Sequence, residues 1–355
     1  MFGYYGYNNI GDEAILEAII GQFREIMPDV KLSALSYKAA TTSSLYGIHA
    51  VSRNRFFDVF RTITRADLVM SGGGSILQDV TSSRSLMYYL GIILLAKMVG
   101  KKVAFYGNGF GPITQPLNRK LVKHIINRVD LITVRDEESK RVMEQLGIHQ
   151  PITVTADAAF TLSLLSDKST VQKNVTKKTV GISVRSWKNQ ANFISAIAVC
   201  ADKLAAEGYE ICFLPMQQPS DAVVSRDIIR LMESPAEILQ TAVTPRSMIQ
   251  AISSMDFIIG MRLHSLVFSA IAEVPMVGLS YEAKITSFLK LVQQPCAGDV
   301  ETITEEQLTQ TITEFLANQD KYRDKLLIHK QTLHYKAVKN SEIIRAFLME
   351  GDAAL

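Results

Sequence analysis

The chain is poor in the features that would place it outside the cell or across a membrane. It has 3 cysteines in 355 residues, and Cys200, Cys212 and Cys296 lie far apart, with no CxxC or histidine-rich spacing. That argues against a disulfide frame or a structural zinc site and fits buried, reduced thiols in a reducing cytoplasm. The longest apolar run, SLMYYLGIILLAKMVG at 85–100, has Lys97 inside it. It falls short of the roughly 20 residues that span a bilayer and reads as a buried helix. The opening MFGYYGYNNIGDEAIL has no basic stretch ahead of an apolar core, so no secretory signal is expected and the protein is expected to be cytoplasmic. Charge of one sign is also lacking. A net charge of +3 is far too mild to make nucleic acid a main partner. No Ser-His-Asp order, GxSxG, HExxH, Walker A or DxD-like carboxylate pair occurs, which weakens hydrolase, metalloprotease and P-loop readings. Nothing calls for a metal.

What is present is an ordinary globular balance, 47% hydrophobic and 21% charged, which rules out a disordered, collagen-like or coiled-coil chain. The length exceeds what one hydrophobic core supports, so about two domains are expected. Short β-branched runs at 67–72, 102–107, 131–136 and 152–157 alternate with amphipathic segments such as 117–128 and 138–146. This alternation marks βαβ units and a parallel sheet. An aperiodic polar stretch at 166–179 reads as an interdomain linker. The alternation then restarts, with strands at 180–187, 209–216, 256–262 and 274–281 and helices at 193–207, 246–253 and 266–272. The expected fold is α/β: two Rossmann-like, doubly wound parallel-sheet domains with a central cleft, at 1–165 and 180–320, followed by a basic helical tail at 321–355. Residues 321–339 of that tail carry six Lys or Arg against Asp324 alone. They read as a solvated face, with contact to an anionic membrane surface as the alternative.

Nine of the 20 glycines fall in three clusters of the first domain: 3–11, 72–74 and 107–111. The first precedes a helical pattern at 13–23, and the others end strands. Glycines permit close backbone approach, and a helix start adds N–H groups and positive dipole, which suits an anion or a sugar. The substrate-binding candidates here are Gly6, Asn9, Gly11, Gly73, Gly74 and Asn108; a tight turn capped by Asn and Asp is the structural alternative for the first cluster. The pattern is not GxGxxG, and no acidic residue stands where a dinucleotide ribose needs one. Only Met1 and Phe2 precede Gly3, so the first strand of this sheet is expected to be missing. Arginines end three strands: Arg135 in LITVRD, Arg185 in VGISVRS and Arg262 in DFIIGMR, with His264 two residues further on. Three guanidinium forks at strand carboxyl ends are expected to point into the cleft and bind carboxylate or phosphate.

The segments GYYGYNNIGDEAIL, SGGGSILQD, YGNGFGPI, TVRDEES, TADAAF, GISVRSW and GMRLHSL, in this order, resemble the polysaccharide pyruvyl transferase family. The likeness is closest to its S-layer-anchoring, secondary-cell-wall-polymer branch (CsaB). The resemblance implies a fold similar to two-domain GT-B glycosyltransferases. It also implies transfer of pyruvate from phosphoenolpyruvate onto a sugar as a cyclic ketal, with release of phosphate. Phosphoenolpyruvate is then a co-substrate, no further cofactor is needed, and the acceptor is N-acetylmannosamine in a lipid-linked precursor, met at the inner membrane face. The family's donor-site Arg-Leu-His falls on Arg262, Leu263 and His264, and a further donor-site arginine falls on Arg135 or Arg185.

Such a donor carries a carboxylate and a phosphate, which two or three arginines can clamp. His264 is the candidate acid or phosphate partner, and Asp12, at the mouth of the first glycine loop, is the candidate acceptor of a hydroxyl proton. Lys284 is placed to reach the donor and Tyr281 to stack on a sugar ring; both fit equally well as surface residues at a helix start. Two other functions remain open from the residues. A nucleotide-sugar glycosyltransferase needs the same cleft, and a non-catalytic carbohydrate-binding protein needs the cleft without the arginines and His264.

Overall fold

A computed structural model describes residues 1–80, 82–162, 178–240 and 244–352, with side chains as far as 349. The chain divides into two compact units, Met1–Leu162 with Leu333–Leu355, and Ser163–Thr332. Most of the expected linker lies outside the described residues, and its last two residues, Lys178 and Thr179, already belong to a strand.

The first unit runs α1 (Ile10–Ile26), β1 (Ser33–Ser36), α2 (Ala39–Tyr46), β2 (His49–Ser52), α3 (Phe56–Arg65), β3 (Leu68–Ser71), α4 (Ser83–Met98), β4 (Lys102–Asn108), α5 (Pro116–Ile126), β5 (Leu131–Val134), α6 (Glu137–Gln145) and β6 (Ile152–Val154). All pairings are parallel: β2 with β1, and β3, β4, β5 and β6 in succession. The two sets are joined by Phe2, which bridges Leu35 on one side and Ser71 on the other. Its N–H donates to Met70 O (2.9 Å), its carbonyl accepts from Gly72 N (2.9 Å), and Met1 O accepts from Leu35 N (2.9 Å). The strand expected to be missing is therefore present as two residues. One extended residue keeps ladder bonds on both sides, so the sheet stays continuous, in the order β2-β1-Phe2-β3-β4-β5-β6. Phe2, Val69, Val103, Phe105, Ile132 and Val134 form the centre of its core. The apolar run at 85–100 is α4, with Leu86, Leu90 and Ile93 buried on one face.

The second unit runs β7 (Lys178–Ser183), α7 (Ala191–Ala206), β8 (Tyr209–Phe213), α8 (Ser220–Ile229), β9 (Ala236–Ile238), α9 (Pro245–Ser253), β10 (Phe257–Gly260), α10 (Leu263–Ile271), β11 (Met276–Ser280), α11 (Ala283–Leu291), β12 (Cys296–Asp299) and α12 (Glu305–Leu316). Its sheet is parallel throughout, in the order β12-β11-β10-β7-β8-β9. Counting Phe2 as the first strand of its unit, both sheets share the doubly wound order 3-2-1-4-5-6, to which the first adds β6 at its edge, so each has a topological switch beside its first strand. Helices α9 and α12 start on capping boxes, Thr244 with Ser247 and Thr304 with Gln307.

The basic tail is helical over Gln319–Asp352, here α13. It is not an appendage. Leu326 is buried in the second unit and Leu333, Ala337 and Ile344 in the first, and Asn340 Nδ2 donates to Ala156 O (3.1 Å). The thiols are not uniformly buried either. Burial pushes Cys200 up to about 12, whereas Cys296 is exposed. Among the described residues no helix is long and apolar enough to cross a membrane.

Candidate functional site

In doubly wound sheets ligands sit outside the carboxyl ends of the strands, at the switch point. In the first unit that edge is built from the three glycine segments. Tyr5 is buried under the loop and its hydroxyl donates to Gly72 O (2.7 Å). Asp12 Oδ1 lies 2.9 Å from where a Cβ on Gly74 would stand, and Ile15 Cγ2 lies 2.6 Å from the same position on Gly73. Gly109 N donates to Gly74 O (3.0 Å). Gly73 and Gly6 also hold φ of +72° and +79°, so neither accepts a side chain without strain. Asn9 caps α1 through Gly11 N (3.1 Å), and Glu13 closes the loop by accepting from Gly6 N (2.7 Å) and Tyr46 Oη (2.9 Å). Burial raises the Glu13 carboxyl despite these donors.

Two candidates of this unit are internal. Asn108 is fully buried; its Nδ2 donates to Ser71 Oγ (2.9 Å) and Gly73 O (3.1 Å) and its Oδ1 accepts from Tyr106 N (3.1 Å). Its side chain braces the glycine segments from within. Arg135, expected to open outward, is 7% exposed. Its guanidinium binds Asp136 (3.2 Å), Asp157 (3.2 Å) and Ser75 Oγ (2.8 Å). With two carboxylates neutralising it, Arg135 ties the ends of β5 and β6 to the second glycine segment, and each of its three nitrogens already donates there.

Beside the glycine edge stands a feature the sequence reading passed over. Tyr7 is stacked between Tyr4 (4.1 Å between centroids) and Tyr37 (4.6 Å). Arg53, just past β2, lies 3.9 Å over Tyr88 and 5.4 Å from Tyr7. Tyr4 and Tyr7, Tyr37 and Arg53 follow Phe2, β1 and β2, three successive strand ends, and Tyr88 comes from α4.

In the second unit β7 and β10 are paired from Phe257↔Val180 to Gly260↔Ser183, and Met261 N continues the ladder to Ser183 O (2.8 Å). Arg262 and Arg185 each lie two residues beyond the last pair of their strands. Arg262 Nε donates to Asp221 Oδ2 (3.0 Å), and its NH2 donates to Asp221 Oδ1 and to Gln217 Oε1 (3.1 Å). Asp221, at 0% exposure, also accepts from Met216 N (3.1 Å) and Gln217 N (2.9 Å). The fork is thus held along one edge, through Nε and NH2. Arg185 NH1 donates to Tyr281 Oη (3.1 Å), with the guanidinium 4.7 Å from the Tyr281 ring and 5.3 Å from Trp187. Its Nε is buried without a hydrogen-bond partner among the described residues.

Tyr281 does not offer a face for a sugar. It is buried against Trp187 (4.7 Å), and Lys284 Nζ lies 5.1 Å over it while pairing with Glu282 (2.5 Å). Trp187 Nε1 donates to Glu301 (3.0 Å). Helix α10 opens directly after Arg262 with buried Leu263, and Ser265 Oγ donates to Arg262 O (2.7 Å). His264 stands in its first turn with its ring 6.2 Å from Phe268. The structure therefore gathers Arg185, Arg262, His264, Tyr281 and Lys284 in one unit and the glycines, Asp12 and Arg135 in the other. Gln217 and Asp221 had no sequence signal beyond lying after a strand. Among the described residues no group of three or more His, Cys, Asp or Glu is placed to hold a metal.

A family model described as polysaccharide pyruvyl transferase matches residues 9–283. The amylovoran biosynthesis protein AmsJ of Erwinia amylovora is 24% identical over 278 residues, a match covering 71% of this chain and 66% of that protein. The chain thus spans just under two thirds of this curated relative. Among solved structures, the UDP-GlcNAc 2-epimerase of Neisseria meningitidis bound to UDP-GlcNAc aligns with a TM-score of 0.65 at 16% identity, over 96% of this chain and 97% of that one. HepE from Anabaena, in complex with UDP-glucose, aligns with a TM-score of 0.65 at 13% identity, over 100% and 98%. At these identities the likeness is one of fold, that of GT-B-like enzymes with two Rossmann-like domains.

Proposed function

The chain belongs to the polysaccharide pyruvyl transferase family, and from that premise we propose that it moves pyruvate from phosphoenolpyruvate onto two hydroxyls of a saccharide, forming a ketal and releasing phosphate. The acceptor in this reading is N-acetylmannosamine of a lipid-linked cell-wall polysaccharide precursor, as in the S-layer-anchoring branch that the motifs resemble. One observation supports the donor assignment: β7 and β10, the pair at the switch point of the second unit, are each followed by an arginine two residues past their last paired position, Arg185 and Arg262, with α10 opening directly after Arg262. Phosphoenolpyruvate carries a carboxylate beside its phosphate, and two guanidinium forks with a helix start suit that charge.

The two arginines have different tasks. Arg262 is oriented by Asp221, which holds Nε and NH2 and leaves NH1 directed by a rigid partner. Asp221 also cancels much of that arginine's charge, so the net positive potential for the donor comes from Arg185, whose partners are neutral rings and a hydroxyl. His264, in the first turn of α10, is the proposed general acid. A proton delivered to C3 of the enol gives C2 cationic character, and the first sugar hydroxyl adds to C2. The second hydroxyl then displaces phosphate from C2 and closes the ketal. Of the two hydroxyl protons, one restores the acid and the other leaves with phosphate, so water is not consumed. Asp12 is the proposed acceptor of a hydroxyl proton, on the unit whose glycine edge and Tyr4–Tyr7–Tyr37 stack suit a sugar.

The donor assignment is tested without any acceptor. Calorimetric titration with phosphoenolpyruvate should detect binding to the wild-type protein and weaker binding, by about 10- to 100-fold, in Arg185→Ala, the loss of a charge-assisted pair of about 1.5–3 kcal/mol. Equal affinity in Arg185→Ala would remove Arg185 from the site.

A further inference from the structure

The first unit carries an apolar surface that its core does not use. Helix α3 buries Val59 and Ile63, yet three phenylalanines of the same helix face outward: Phe56 at 64% exposure, Phe57 at 83% and Phe60 at 39%. The rings touch one another, Phe56 to Phe57 at 5.8 Å and Phe56 to Phe60 at 6.4 Å between centroids, so they form one patch and not scattered positions. Phe60 lies four residues from Phe56 and three from Phe57, the spacings that make neighbours on a helix surface, and large aromatic side chains clustered in water mark an interaction surface.

The charges around the patch say what covers it. Arg55 precedes the helix, and Arg61 and Arg65 follow Phe57 at steps of four; all three are exposed. Within α3 the one acidic residue is Asp58, 3.7 Å from Arg55, and exposed Asp67 follows the helix. A helix with aromatic residues on its outward face and arginines flanking them matches the boundary of an anionic bilayer, with rings at acyl depth and guanidinium groups at the phosphates. A protein partner would need its own apolar surface ringed by acids, whereas an anionic membrane supplies both features everywhere. We propose that α3 docks this protein on an anionic lipid surface, with Phe56, Phe57 and Phe60 inserted and Arg55, Arg61 and Arg65 on the headgroups. This places membrane contact on α3 and not on the basic residues of α13.

Co-sedimentation of the full chain with phosphatidylcholine vesicles, with and without phosphatidylglycerol, tests this with no reference to catalysis. The wild-type protein should partition onto the anionic vesicles, and less so at high salt. Phe56→Ser with Phe57→Ser should lower partitioning at least about tenfold. Arg61→Glu with Arg65→Glu should lower it on the order of tenfold or more, at about fivefold per neutralised charge. Because these side chains are exposed, all variants should melt with the wild type. Lys336→Glu with Lys339→Glu on α13 should bind as the wild type does. Failure of the wild-type chain to bind anionic vesicles overturns the proposal, as does undiminished binding of the Phe variant. A wild-type dimer in light scattering that Phe56→Ser with Phe57→Ser turns into a monomer, without vesicle binding, would assign the face to a second copy of the chain instead.

Discussion

The contact between Arg262 and Asp221 can be measured by a double-mutant cycle. Asp221 is fully buried and accepts from Met216 N, Gln217 N and both an Nε and an NH2 of Arg262. Asp221→Ala therefore strands a guanidinium and two backbone donors together. Breaking a buried pair from one side costs about 3–5 kcal/mol. At ~2–4 °C per kcal/mol for a unit of this size, that is a drop of about 6–20 °C in the melting of the second unit. Arg262→Ala leaves the carboxylate its two backbone donors, so it should cost less. Because each single change removes the same contact, the two should not add. Denaturant unfolding of the wild type, both single variants and the double variant should give a coupling energy of about 1–3 kcal/mol. Additivity to within about 0.5 kcal/mol would refute the idea that Asp221 holds the fork, and with it the positioning role assigned to Asp221.

Other consequences follow from the same geometry. Arg262→Lys keeps a charge but loses the fork that reaches Asp221 and Gln217 together, and steady-state assays of the proposed reaction should show turnover reduced about 10- to 100-fold; unchanged turnover would mean that only the charge matters. In Gly73→Ala the new Cβ would stand 2.6 Å from Ile15 Cγ2 at a φ of +72°, so thermal unfolding should show a loss of about 1–3 kcal/mol, and an unshifted transition would contradict the packing described. Glu13 is raised above 4.5 by burial, partly offset by hydrogen bonds from Gly6 and Tyr46. A folded-state value above the unfolded one stabilises the fold fully below the unfolded pKa and is lost as pH rises through the folded value. Stability measured from pH 4.5 upward should show that decline in the wild type and lack it in Glu13→Gln; parallel curves would remove Glu13 as its source.

The architecture was largely legible because β-branched runs ending in glycine or arginine, such as 102–107 and 131–136, carry their strand signal locally. The strands that went unread are the ones with no such signal: SALS in β1, HAVS in β2, AEI in β9 and CAGD in β12. Their placement comes from parallel pairing with neighbours, not from their own pattern. The first strand escaped notice because a two-residue segment has no periodicity, although Phe2 bridges both neighbours. In the site, the three strand-end arginines look alike in sequence. What separates them is distant: Arg135 meets Asp157 and Ser75, 22 and 60 positions away, Arg262 meets Asp221, 41 away, and Arg185 meets Tyr281, 96 away. The same holds for Asn108, a polar residue in a glycine loop that turns out to be a fully buried brace between Ser71 and Gly73.

The central claim is tested most directly by incubating the protein with phosphoenolpyruvate and an N-acetylmannosamine acceptor bearing a lipid-like or aryl anchor, then measuring phosphate and the mass of the sugar together. The account predicts acceptor-dependent phosphate release in equal amount to a sugar product heavier by one pyruvyl ketal, both lost in Arg262→Ala. Sugar transfer from a nucleotide-sugar donor, with no phosphate released from phosphoenolpyruvate, would contradict it.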